Sequence, residues 1–167
     1  MRQIKMKPFY ALVAAIFMSF LVCQPCSADQ ISDAIKTLQK AYPKFSWQTN
    51  SAVTLDINAD GFKDVAVLGY TDKTAAVGVV LGSSSKSSET KLLEFMRGGQ
   101  DQRGMCGKTA KLLVEKQSKA PKEALDEFPQ GYRICKKCFE IAVDDGLCDP
   151  IHIYWNYKTK ELDWWRA

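Results

Sequence analysis

A nine-residue acidic segment between two apolar runs constrains the fold of this chain more than any other feature. The segment covers residues 56–64 and reads Asp-Ile-Asn-Ala-Asp-Gly-Phe-Lys-Asp. The runs on either side, residues 52–55 and 65–68, contain valine and leucine in the manner of strands. Gly61 permits a sharp turn between them. The sequence therefore predicts a β-hairpin with this segment, called the acidic loop, at its tip.

Oxygen donors recur within the acidic loop at a spacing that suits a hard cation. They fall at its first, third, fifth and ninth positions, and the carbonyl group of Phe62 adds a backbone oxygen. Calcium prefers oxygen ligands, and carboxylates this close together repel one another unless a cation lies between them. We therefore predict a Ca²⁺ site with these ligands: Asp56, Asn58, Asp60, Phe62 and Asp64. The alternative is an acidic turn exposed to solvent.

The acidic loop differs from an EF-hand and resembles a different calcium-binding family. An EF-hand has a glutamate at position twelve, where this chain has Val67 in a predicted strand. The pattern Asp-x-Asn-x-Asp-Gly-x-x-Asp followed by Val-Ala-Val-Leu-Gly resembles the calcium loops of FG-GAP and VCBS repeats, the blades of integrin-type β-propellers. The resemblance covers Val53 to Gly69 in one copy. It implies a loop between two antiparallel strands with the ligands named above, and not a complete propeller.

Two C-terminal patterns extend the resemblance. Residues 148–156 read Cys-Asp-x-Ile-His-x-Tyr-Trp-Asn, and residues 164–166 read Trp-Trp-Arg. Together with the acidic loop they resemble small exported bacterial proteins of unassigned function.

The first 28 residues have the three parts of a secretory signal peptide. Arg2, Lys5 and Lys7 form a basic start, an apolar run covers residues 9–22, and small residues occupy the cleavage positions before Asp29. The apolar run is short for a membrane span. We therefore predict a cleaved signal peptide at 1–28, one globular domain at 29–167, and a periplasmic or secreted protein with no membrane contact after cleavage.

The charge balance excludes a general electrostatic affinity for nucleic acid. The chain has 23 basic and 19 acidic residues, and three of the basic ones lie in the predicted signal peptide. The remaining 20 basic and 19 acidic residues nearly cancel, so no basic surface for nucleic acid is predicted.

The spacing of apolar residues along the chain predicts an α+β fold. Apolar residues recur at helical spacing over residues 29–42, and Pro43 ends this helix. Strands are predicted at 52–55, 64–71, 75–81, 91–96, 112–114, 139–143, 151–155 and 161–165, with a short helix at 121–128. We expect the N-terminal helix to pack on a mostly antiparallel, disulfide-stapled sheet of six to eight strands.

Four cysteines remain after signal cleavage, and they predict disulfides. They are Cys106, Cys135, Cys138 and Cys148, and four cysteines allow three pairings. Between the predicted strands at 139–143 and 151–155 we predict a five-residue loop at 144–148 that pairs Ile141 with Ile151. In this register Cys148 lies in the loop, which disfavours a direct cross-strand bridge from Cys138 to Cys148. The favoured pairing is therefore Cys106–Cys148 together with Cys135–Cys138.

The spacing Cys135-Lys-Lys-Cys138 also permits a thiol–disulfide oxidoreductase. Such an enzyme lowers the pKa of one thiol with a helix N-terminus or a nearby cation. Here a strand is predicted after Cys138, and no βαβ pattern precedes it. A zinc site with four cysteines would need a second close pair, which Cys106 and Cys148 do not form.

The C-terminal region offers three further candidates. His152, the sole histidine, alternates with Ile151 and Ile153 and is predicted to be a partly exposed sheet residue. The acidic residues at 144, 145 and 149 are predicted to stabilise a turn. Aromatic side chains near the end of the chain could bind a sugar or a protein, and the candidate surface comprises Trp155, Tyr157 and Trp164.

These patterns predict a monomeric, non-enzymatic, calcium-stabilised binding protein of the periplasm or the cell exterior. Its partner would be a protein or a glycan. The alternatives are an oxidoreductase that uses Cys135 and Cys138, and an inhibitor of a secreted hydrolase.

Overall fold

The computed structural model of this protein describes residues 27–82, 88–99 and 104–167. The predicted signal peptide at 1–28 lies outside the described residues except for its last two positions. Parts of the serine-rich stretch and of the glycine-rich connection, residues 83–87 and 100–103, also lie outside them. Within the described residues, no helix combines the length and the apolar composition that a membrane crossing requires.

The first helix, α1 (Ser27–Ala41), is amphipathic and covers one face of a sheet. Its apolar residues include Ala34 and Leu38, which are buried, while Lys36 and Gln39 lie on the exposed side. The helix ends before Pro43, as the sequence predicts. A short 3-10 helix at Thr49–Ser51 follows.

Sheet 1 is formed by the strands of the first part of the chain. Its members are β1 (Ser46–Trp47), β2 (Val53–Leu55), β3 (Asp64–Tyr70), β4 (Thr74–Leu81) and β5 (Glu89–Met96). They pair in the order β1-β3-β4-β5, with β2 also on β3, and every pairing is antiparallel. The Trp47 ring fills space above Gly69 and Gly78, where an added Cβ would come within 2.8 Å of it. Both glycines are therefore required for this packing.

Sheet 2 contains the second part of the chain. Its strands are β6 (Lys111–Lys116), β7 (Phe139–Asp144), β8 (Ile151–Asn156) and β9 (Glu161–Trp165), paired in that order and all antiparallel. The segment between β6 and β7, called segment 117–138, carries the second helix, α2 (Ala120–Leu125). Its Tyr132 and Gln130 contact side chains on the outer face of sheet 2.

The α+β class is confirmed, but the prediction of one sheet with six to eight strands is wrong. The described residues form nine strands in two sheets. The reason lies in β3, which is apolar on both faces. Val65 and Val67 pack against α1, whereas Ala66 and Leu68 face a core between the two sheets. Sheet 2 contributes Ile141, Val143, Ile151, Ile153 and Leu162 to that core.

The predicted register of the β7–β8 hairpin is wrong by two residues. Ile141 pairs with Ile153 and Val143 with Ile151, so residues 144–150 lie between the last paired residues of the two strands. The shift keeps the same residues on the core side because side chains alternate with a period of two. The longer connection accommodates Pro150, which has no N–H for the ladder, and frees Cys148 to reach Cys106.

The cysteine pairs lie at disulfide distance in the favoured pairing. Cys106 pairs with Cys148, with Cα atoms 6.0 Å apart, and ties the connection before β6 to the β7–β8 loop. Cys135 pairs with Cys138, with Cα atoms 5.1 Å apart, and closes a turn just before β7.

Candidate functional site

The acidic loop forms the tip of the β2–β3 hairpin. Leu55 pairs with Asp64 at the base of the loop. The backbone is left-handed at Ala59, with φ of 58°, and at Gly61, with φ of 94°. An added Cβ at Gly61 would meet no atom within 4 Å, so backbone conformation and not space requires glycine there.

Side-chain oxygens organise the backbone of this loop. The amides of Asp60 and Gly61 donate to the carboxylate of Asp56, at 3.0 and 2.9 Å. The amide of Asp60 also donates to Asn58 Oδ1, at 3.1 Å, and the amide of Phe62 donates to Asp60 Oδ1, at 2.8 Å. Four of the predicted ligands therefore belong to one hydrogen-bonded loop. The Phe62 residue itself is 42% exposed.

Asp64 links the acidic loop to sheet 1. Its side chain is fully buried, and its two oxygens accept hydrogen bonds from the amides of Ile57 and Gly82, at 2.7 and 2.8 Å. The pKa of Asp64 is raised to about 6, mainly by burial and to a smaller extent by the nearby carboxylates of Asp60 and Asp56, against the effect of the two hydrogen bonds. Asp64 is thus a buried carboxylate close to two others.

The donor set of the acidic loop suits Ca²⁺. It consists of oxygen atoms alone, and a cation would offset the negative charge of three neighbouring carboxylates, of which Asp64 is buried. Ca²⁺ takes such ligands at 2.3–2.6 Å in flexible geometries.

A second group of side chains, in sheet 2, has possible metal-ligand atoms close to one another. Among residues 27–82, 88–99 and 104–167, a single set of three or more His, Cys, Asp or Glu side chains has ligand atoms all within 4.8 Å of one another. The set is Glu115, Glu140 and His152. His152 Nδ1 lies 3.4 Å from Glu140 Oε1 and 3.6 Å from Glu115 Oε2.

The strands of sheet 2 explain how this group forms. Glu115 on β6 lies directly opposite Glu140 on β7. His152 on β8 pairs with Ala142, which places it diagonally from Glu140. All three side chains point to the outer face of sheet 2, away from the core between the sheets. The alternation of residues 151–153 predicts His152 on this face, but the sequence carries no signal for either glutamate, since their proximity depends on the β6–β7 pairing.

Glu140 is the buried centre of the group, with 2% of the residue exposed. Its Oε2 atom accepts a hydrogen bond from the Tyr132 hydroxyl at 3.0 Å and one from Trp165 Nε1 at 3.3 Å. Tyr132 reaches it from segment 117–138, and burial raises the pKa of this tyrosine above its ordinary value. The hydroxyl therefore remains a donor at neutral pH. The other carboxylate oxygen of Glu140, Oε1, faces His152.

The His152 ring is held in place by stacking. It lies on the Trp165 ring with centroids 4.2 Å apart and an interplanar angle of 12°. The Nδ1 atom is buried and has no hydrogen-bond partner among the described residues. The position of His152 opposite the two core isoleucines is as predicted.

The candidate aromatic surface is wrong for Trp155. Its side chain lies in the core between the sheets and the residue is 8% exposed. Trp164 is partly buried and packs edge-on against Phe95, with ring centroids 6.0 Å apart. Tyr157 is partly buried beneath the guanidinium group of Arg133, 4.6 Å from its ring centroid. The three side chains therefore do not form one exposed platform.

The Cys135–Cys138 turn has one of the two features that lower the pKa of a thiol, because Lys136 and Lys137 lie within it. It precedes strand β7 and not a helix, so no helix N-terminus stabilises a thiolate. Cys138 is fully buried, and the Tyr157 hydroxyl lies 3.5 Å from its sulfur.

Comparisons of the chain with protein-family models, with curated proteins and with solved structures gave no match.

Proposed function

We propose that this protein is an exported, disulfide-linked binding protein whose fold is stabilised by Ca²⁺ in the acidic loop. The observation that carries the calcium assignment is Asp64, a fully buried carboxylate near Asp56 and Asp60. A cation at this point would neutralise charge that burial and like neighbours make costly. The two cysteine pairs support an oxidising compartment outside the cytoplasm.

Calcium in this loop would act on the whole of sheet 1. Asp64 begins β3, and its hydrogen bond to the Gly82 amide reaches the end of β4. An ion that holds Asp64 would therefore fix the β2–β3 hairpin and the adjacent strand together. The proposed role is structural, because the ion would hold the hairpin and the end of the adjacent strand in place.

Exposed apolar side chains support a binding role for segment 117–138. Leu125, Phe128 and Ile134 are each at least 40% exposed. We propose that they form one surface for another protein, since a contiguous exposed apolar patch marks such a site. A glycan would require an exposed aromatic face, which Phe128 offers in its stack with Tyr132, with ring centroids 5.9 Å apart.

Thermal unfolding in excess Ca²⁺ and in a chelator tests the calcium assignment. At a Ca²⁺ concentration about 100 times the dissociation constant, binding to the native state stabilises it by about 2.7 kcal/mol. We expect a higher unfolding midpoint in Ca²⁺, and we expect Asp60→Ala to abolish that gain. Asp33→Ala is the matched control, because Asp33 is a carboxylate on α1 whose ion pair with Lys36 is 75% and 73% exposed. Identical curves with Ca²⁺ and chelator would refute the assignment.

A further inference from the structure

The two distances from His152 to Glu115 and Glu140 are close to those between ligands of a tetrahedral metal ion, and the ligand atoms of all three lie within 4.8 Å of one another. Zinc binds nitrogen and carboxylate oxygen at about 2.0–2.2 Å, so two of its ligands lie about 3.3–3.5 Å apart. His152 Nδ1 is 3.4 Å from Glu140 Oε1 and 3.6 Å from Glu115 Oε2. These separations are long for hydrogen bonds between charged groups, which are about 2.7–2.9 Å.

The environment of Nδ1 calls for a cationic neighbour. Nδ1 is buried without a hydrogen-bond partner among the described residues, and it faces two carboxylates. If the atom carries no proton, its lone pair opposes two negative charges. Glu115 and Glu140 also lie directly opposite each other on neighbouring strands, an arrangement that destabilises a sheet when both carry the same charge. A divalent cation between the three atoms resolves both conflicts.

The surrounding side chains orient the three donor atoms in advance. Tyr132 and Trp165 both donate to Oε2 of Glu140, which leaves Oε1 for the shared position. Trp165 also stacks on His152 and fixes the plane of its ring. Hydrogen bonds of this kind to the ligands are a regular property of metal sites in proteins.

We propose that Glu115 Oε2, Glu140 Oε1 and His152 Nδ1 bind one divalent metal ion of the zinc class. The imidazole nitrogen distinguishes this site from the acidic loop, because Ca²⁺ takes oxygen ligands and zinc accepts nitrogen. Three protein ligands leave one position of a tetrahedral ion for water. Glu115, whose side chain is 44% exposed, provides access from solvent.

The single histidine of the chain makes the proposal directly testable. Untagged protein, free of transition metals and saturated with Ca²⁺, is titrated with Zn²⁺ while the imidazole signals are followed by nuclear magnetic resonance. We expect these signals to shift and to saturate at one equivalent of zinc. Imidazole signals that stay unchanged in excess zinc, and respond to pH alone as an ion-paired imidazolium would, overturn the proposal.

Glu115→Gln tests the ligand set without disturbing the buried centre, since Glu115 is the exposed member. We expect it to weaken zinc binding at least about tenfold. The matched control is Glu123→Gln on α2, which removes the same charge from an exposed position and should leave zinc affinity unchanged. Equal affinities of Glu115→Gln and the unaltered protein overturn the ligand assignment.

Asp60→Ala separates this site from the calcium site. We expect the variant to lose its response to Ca²⁺ and to keep its zinc affinity, because no atom of the acidic loop belongs to the zinc site. Zinc binding that disappears in Asp60→Ala and persists in Glu115→Gln would place the ion in the acidic loop and overturn the proposal.

Discussion

A single carboxylate, Asp145, organises the junction between the two disulfide-linked segments. Its Oδ2 accepts hydrogen bonds from the amides of Cys106 and Gly107, at 2.7 and 3.0 Å. Its Oδ1 accepts from the amides of Leu147 and Cys148, at 2.9 and 3.1 Å. Burial acts to raise the pKa of Asp145, but these donors outweigh it and hold the pKa below its ordinary value.

We expect Asp145→Asn to destabilise the protein by about 2 kcal/mol, because an amide nitrogen cannot accept the hydrogen bonds that one carboxylate oxygen accepts. Denaturant unfolding at pH 7 measures the loss. Asp149→Asn is the matched control, since Asp149 is exposed in the same loop and should change stability little.

The pH dependence gives this prediction a second measurement. A carboxyl whose pKa is lowered in the native state stabilises the fold above its unfolded pKa, near 3.8, and loses that contribution as pH falls through the native value. The difference between Asp145→Asn and the unaltered protein should therefore be greatest at neutral pH and shrink below pH 3.8. A difference that stays constant down to acid pH would contradict the carboxylate's role.

Residue-level prediction from the sequence succeeded where chemistry is local. The hairpin turn at the acidic loop and the turn-forming role of Asp145 depend on neighbours within a few positions, so spacing alone indicates them. The Ca²⁺ site in that loop stays a prediction. Glu115 and Glu140 are far apart in the chain and meet through strand pairing. No local pattern marks either glutamate, so the candidate zinc site was not predictable without the register of sheet 2.

At the scale of elements, alternation predicted which residues of β7 and β8 face the core but not their pairing. A shift of two residues leaves every side chain on the same face, so hydrophobic pattern cannot distinguish the two registers. The disulfide between Cys106 and Cys148 and the hydrogen bonds of Asp145 belong to the longer loop. Tertiary contacts therefore decided the register.

The two disulfides should contribute unequally to stability. A crosslink restricts the unfolded chain more when it closes a longer loop, and the separations are 42 residues for Cys106–Cys148 and 3 for Cys135–Cys138. We expect Cys106→Ala/Cys148→Ala to lower the free energy of unfolding by about 4 kcal/mol and Cys135→Ala/Cys138→Ala by about 2 kcal/mol. Denaturant unfolding of both variants beside the unaltered protein measures this order, and the reverse order would contradict it.

At the scale of the whole molecule, the layers follow from the apolar faces of sheet 1. One face packs on α1 and the other on sheet 2, while segment 117–138 contacts the outer face of sheet 2. The sequence predicted the helix and most strands because their periodicity is local. The division into two sheets requires knowing that β3 and β4 are buried on both sides, which short apolar runs alone do not reveal.

Lys91 joins the two sheets at their edges. It lies on β5, and its Nζ is 2.8 Å from Glu89 Oε1 on the same strand and 2.6 Å from Glu161 Oε1 on β9. The side chain is 11% exposed, and its Nζ lies 5.8 Å from the centroid of the Trp155 ring. Burial acts to lower the pKa of Lys91, but the hydrogen bonds that its ammonium group donates to the two glutamates raise it overall.

We expect Lys91→Met to lower the free energy of unfolding by about 1 kcal/mol, since it keeps an apolar stem over Trp155 but removes the charge between two carboxylates. The loss should shrink in high salt, which screens the repulsion that Glu89 and Glu161 then experience. Lys36→Met is the matched control, because its ion pair with Asp33 is exposed and within one helix. Equal stability of Lys91→Met and the unaltered protein at low salt would show that the ion pairs of Lys91 do not stabilise the contact between the sheets.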